Sequence, residues 1–135
     1  MCKFDIPAFC YEEVSTKVTL FNIDLEYKQQ IIGYLLPIIL SSTFYSITQS
    51  EDEFSFFIDV EQAEIIQNAL KKLHIGYNHM PEVYQIIRLY EDSHKINEHG
   101  IVAQISDYFA KQNIPILYIN SFNNNFVLYP SLKND

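Results

Sequence analysis

The 135-residue sequence predicts an α+β fold of two ferredoxin-like units, with antiparallel sheets carrying helices on one face. Three observations predict it. Short alternating apolar runs lie in pairs around polar turns, as hairpins do. Amphipathic helical stretches separate those pairs. The order of elements then repeats once along the chain, as β-α-β-β-α followed by β-α-β-β.

Lys17–Asp24 (KVTLFNID) alternates Val18, Leu20, Phe21 and Ile23 with polar residues and reads as the first strand. Asp24 is placed to cap a helix, because its carboxylate can accept the N–H groups of the next turn. Leu25–Leu40 carries Leu25, Ile32, Leu35, Leu36 and Ile39 at helical spacing, and Pro37 is expected to bend or end it. Ser42–Thr48 and Glu53–Val60 alternate around the polar turn 49–52 and read as a hairpin. Glu61–Leu73 places Ala63, Ile66, Ala69, Leu70 and Leu73 on one face of a helix, with Lys71, Lys72 and His74 near its negative end and Gly76 as the expected C-cap.

Past Pro81, Val83–Tyr90 (VYQIIRLY) reads as a strand and Gly100–Asn113 as a helix, with Ile101, Val102, Ile105 and Phe109 inward. Ile116–Asn120 and Asn125–Tyr129 form a closing hairpin. The units so drawn are 17–82 and 83–135, following an N-terminal segment 1–16 with a possible extra strand. The second unit has no room for a closing helix and strand, which leaves a sheet edge to be covered. The N-terminal sixteen residues or a second copy of the chain would cover it.

Composition narrows the function. A formal charge of −8, with Lys and Arg scattered, disfavours nucleic acid and an anionic membrane surface. The longest apolar run, Ile31–Leu40, is too short to cross a bilayer and is broken by Gly33 and Pro37. The N-terminus has no secretory pattern, so a cytoplasmic location and reduced thiols at Cys2 and Cys10 are expected. Nucleophile-elbow, HExxH, P-loop and dinucleotide signatures are all missing, and the sequence is read as a non-enzyme without cofactor or metal. The acidic run Glu51-Asp52-Glu53 falls in a turn without a second ligand set and reads as solvated.

The most suggestive stretch is Glu98–Pro130. A glycine at a helix start permits close backbone approach, and the N–H groups there attract an anion such as an α-carboxylate. Glu91 and Glu98 are candidate partners for an α-ammonium, and His99 adjoins them. Asn123, Asn124 and Asn125 suit a hairpin turn as well as recognition.

The repeat, with Gly100-Ile101-Val102-Ala103-Gln104-Ile105, Ser121-Phe122-Asn123 and Phe126-Val127-Leu128-Tyr129-Pro130, resembles tandem ACT domains. In particular it is similar to the C-terminal half of the CASTOR family of cytosolic arginine sensors. The resemblance implies an amino-acid sensor or regulatory protein whose ligand is held between ACT units and alters a surface read by a regulatory protein partner. With two units where that family has four, it implies a homodimer. It implies a head-group cradle of Glu98, His99, Gly100, Ile101 and Val102. The side-chain pocket would be Ser121, Phe122, Asn124 and Asn125, with Tyr90 and Glu91 on the facing strand end. Asn125 stands where the arginine sensors have an aspartate, and an amide lacks the charge-assisted bond that a carboxylate gives a guanidinium. The implied ligand is therefore arginine or a neutral amino acid. The rival reading is a ligand-independent dimeric interaction module with a degenerate pocket.

Overall fold

A computed structural model of the chain describes residues 10–90, 98–121 and 124–131. The chain divides into two compact units, one of residues 16–84 and the other of residues 1–15 together with 85–135.

In the unit 16–84, the later part of strand β1 (Cys10–Asp24) leads into an irregular helix α1 over residues 25–40. The hairpin β2 (Ser46–Gln49) and β3 (Glu53–Asp59) follows, then helix α2 (Ala63–Lys72) and a short strand β4 (Tyr77–His79). The strand order is β2-β3-β1-β4, with every pairing antiparallel. This is a complete βαββαβ ferredoxin-type unit. Strand β4 spans three residues, too few for alternation to reveal, and was not expected there.

Alternation decides which face is buried. Phe21 and Ile23 of β1 and Phe54, Phe56 and Ile58 of β3 point to one face. They pack against Leu35 and Ile39 of α1 and Ile66 and Leu70 of α2. The helices cover that face of the sheet, and the opposite face carries Asn22 and Ser55.

Asp24 caps α1 as its sequence position suggests, Oδ1 accepting the Glu26 N–H at 2.9 Å. Pro37 does not end that helix. A π-helical turn, Ile31–Leu35, precedes it, and an α-helical turn, Leu36–Leu40, runs through it. Widening the turn relieves the clash that proline makes with the preceding carbonyl. Gly76 is not the left-handed residue after α2. His74 takes that conformation, with φ of 57°. The Ile75 N–H bonds the Leu70 carbonyl and the His74 N–H bonds the Lys71 carbonyl, while Ile75 packs beside Leu70 in the core. That is a Schellman closure.

In the other unit the strands are the first half of β1, β5 (Tyr84–Tyr90), β6 (Leu117–Asn120) and β7 (Asn125–Pro130), with helix α3 (Glu98–Lys111) between β5 and β6. Their order is β1-β5-β7-β6. The start of β1 therefore takes the sheet edge that a closing strand would occupy. Strand β1 begins seven residues before the Lys17 expected from alternation. Tyr11 joins the core of Ile87, Leu89, Ile105, Phe109, Val127 and Tyr129, and Arg88 meets Glu12 at 3.3 Å. Helix α3 ends as α2 does, with Asn113 left-handed at φ of 59° and the Ile114 N–H on the Phe109 carbonyl.

Candidate functional site

The residues singled out by sequence belong to the unit that contains β5, α3, β6 and β7. Helix α3 reverses the direction of β5, and β6 reverses it again. The end of β5, the start of α3 and the β6–β7 turn thus share one end of the ferredoxin-type plan. Tyr90 is the last residue of β5. Glu98, His99, Gly100, Ile101 and Val102 form the first five residues of α3. Glu91 and Phe122 lie outside the described residues.

One expectation needs correction. Gly100 does not open the helix. The helix already includes Glu98 and His99, so Gly100 is a residue of its first turn. A backbone N–H in the first turn of a helix still has no partner within the helix, and the local dipole favours an anion.

The two ends of the β6–β7 turn are tied together by their own polar groups. Asn120 pairs with Asn125 across the strands. The Ser121 N–H donates to the Asn124 carbonyl at 2.8 Å, and the Asn124 N–H donates to Ser121 Oγ at 3.2 Å. Both residues therefore have structural work in the turn. Asn125 is 9% exposed. A little further along β7, the Tyr129 hydroxyl donates to Gln85 Oε1 at 2.9 Å, and Gln85 Nε2 donates to Ser131 Oγ at 2.9 Å. These bonds tie the far end of β7 to β5.

Sequence reasoning missed a second polar constellation, in the unit 16–84. His79 of β4 lies flat against Phe21, with ring centroids 4.3 Å apart and planes 8° from parallel. Gln67 Nε2 donates to His79 Nδ1 at 3.0 Å. The ring proton then sits on Nε2 and goes to Thr19 Oγ1 at 2.8 Å. Thr19 is 3% exposed, and its hydroxyl reaches the Met80 carbonyl at 3.4 Å. The chain of bonds fastens β4 to β1 and α2. No spacing rule links residues 19, 67 and 79, and only recognition of β4 would have exposed them.

Burial pushes the His79 imidazole below its usual pKa. The fold prefers the neutral ring, so the unfolded chain binds more protons just below the ordinary histidine value of about 6.5. This contribution to stability is fully present above that value and is lost as pH falls through the folded-state one. Urea midpoints should decline from about pH 8 to about pH 5, and His79→Phe, which keeps the stack, should flatten that decline. An equal decline in the variant would assign it to other groups.

Among the described residues no group of three or more His, Cys, Asp or Glu is placed to hold a metal ion, and no helix is long and apolar enough to cross a membrane.

No known family's sequence profile matches the chain, and no curated protein matches it by sequence. Solved structures do match. A structural-genomics protein from Agobacterium tumefaciens superposes with a TM-score of 0.66 at 15% identity, over 93% of this chain and 80% of that one. The regulatory subunit of aspartate kinase from Thermus flavus gives 0.66 at 10% identity, over 91% and 89%. The E. coli aspartokinase III, solved in complex with aspartate and ADP, gives 0.56 at 18% identity, over 92% of this chain and 30% of that one. At such identities the likeness is one of fold, and the chain has the ACT-like ferredoxin-type fold seen in aspartate kinase regulatory subunits.

Proposed function

We propose that the chain is a regulatory protein of the ACT type that binds an amino acid and is not itself an enzyme. The observation that carries this reading is the extent of its likeness to a regulatory subunit, nearly the whole of each chain. The ligand's head group would lie at the first turn of α3, on residues 98–102. Its side chain would meet the β6–β7 turn at Ser121, Phe122, Asn124 and Asn125, with Tyr90 and Glu91 at the end of β5. The α-carboxylate is the part of the ligand suited to helix N–H groups, and the acids at 91 and 98 suit the ammonium. With an amide at position 125, the ligand is arginine or a neutral amino acid. A cytoplasmic homodimer that presents a ligand-dependent surface to a regulatory partner completes the proposal. Ligand would act only through its differential affinity for two arrangements of the units.

The burial of Asn125 favours a second reading, because an amide enclosed at the start of β7 is less available to a ligand. In that reading the chain is a ligand-independent dimeric interaction module.

A thermal-shift panel of the free amino acids, with native mass measured alongside, separates the two. One amino acid is expected to raise the melting temperature saturably, increasingly with concentration. Gly100→Val should abolish that rise while leaving the dimer intact. A flat panel on a folded dimer would favour the interaction module.

A further inference from the structure

The helix-free face of the sheet in the unit 16–84 holds an open groove of about 560 Å³, within the size range of small-ligand sites. Strand register gives the groove a chemical gradient. At one end the Met80 N–H bonds the Leu20 carbonyl, and both side chains line the groove. Met80 is 42% exposed. In the middle Asn78, Asn22 and Ser55 stand side by side on β4, β1 and β3. The Ser55 hydroxyl donates to Asn22 Oδ1 at 3.2 Å, which fixes that carboxamide. Two residues before Ser55, at the start of β3, Glu53 lines the other end. The sequence runs from thioether and isobutyl, through amides and a hydroxyl, to a carboxylate.

The lining holds a carboxylate and no Lys or Arg. His79 also borders the groove, but its ring nitrogens are engaged by Gln67 and Thr19. An α-carboxylate would therefore meet no cation, whereas an ammonium or guanidinium would meet Glu53 and amide oxygens. The chain's charge of −8 favours cations further. We infer that this groove binds a small organic cation with an aliphatic body, its charged head at Glu53 and its chain along Leu20 and Met80. The site is separate from the amino-acid site proposed on α3 and does not depend on it.

Hexylammonium, hexanol and hexanoate titrated calorimetrically into the intact chain test this, with no amino acid present. Hexylammonium is expected to bind saturably at one site per chain, and hexanoate is expected not to bind. Glu53→Gln and Asn78→Leu should each weaken hexylammonium by about tenfold or more. Both positions are exposed, so the variants are expected to fold, which circular dichroism checks. Absence of saturable binding overturns the inference. So does equal binding of hexanol, or unchanged affinity in either variant.

Discussion

Replacing Phe21 by Ala is expected to destabilise the chain by about 3–5 kcal/mol, read as a fall in the urea midpoint at unchanged slope. Phe21 is fully buried near the C-terminal end of β1. It stacks on Phe56 of β3 with centroids 5.4 Å apart and on His79 of β4 at 4.3 Å. Its loss would open a cavity bounded by three strands and remove the surface on which the histidine rests. Since whole domains are stable by about 5–15 kcal/mol, a loss of this size is a large fraction of the margin. Phe21→Leu should recover more than half of the loss, because most of the buried volume returns. A cost below about 1 kcal/mol for the alanine variant would mean that the ring is not a core residue.

Asp59→Ala is expected to cost about 2–3 kcal/mol. Asp59 stands directly before the 3-10 turn Val60–Gln62, where an N-cap stands, yet its side chain makes no cap bond. The carboxylate reaches back to the loop before β2 instead. Oδ2 accepts the Thr43 N–H at 2.7 Å and Oδ1 the Phe44 N–H at 3.1 Å. Asp59 is 8% exposed, so the variant would lose two charge-assisted bonds in a place where water replaces them poorly. Asp59→Asn keeps the shape and one acceptor, and should fall between wild type and alanine. Amide exchange at Thr43 and Phe44 would report the loss locally, and unchanged protection at both would contradict this role.

Elements with long, regular patterns were legible in the sequence. The hairpin β2–β3 and helices α2 and α3 follow from alternation and helical spacing, and the Asp24 cap follows from its side chain, but β2 begins at Ser46 rather than the expected Ser42 because the Thr43 and Phe44 N–H groups go to Asp59. What escaped was set by tertiary context. The left-handed position after α2 falls on His74 rather than Gly76, because Ile75 must reach the core beside Leu70, and that fixes the length of the closing turn. Strand β4 is defined by pairing with β1 rather than by its own pattern. At the candidate site, the resemblance supplied residues while local pattern supplied only a turn. Ser121 and Asn124 do make that turn, so turn chemistry and recognition chemistry draw on the same residue types there.

Strand β1 also constrains how the protein is made. Its first residues belong with β5, whose strand begins at Tyr84. On a ribosome the stretch 10–15 would emerge ahead of its partners and wait for residues encoded some seventy positions later. The unit 16–84 has all its strands in one continuous stretch and is free to fold first. The other closes only after residues 85–130 have been made, through a contact of long sequence separation. A fragment starting at residue 85 would lack an edge strand. Expressed alone, it is the piece most exposed to pairing with the wrong neighbour.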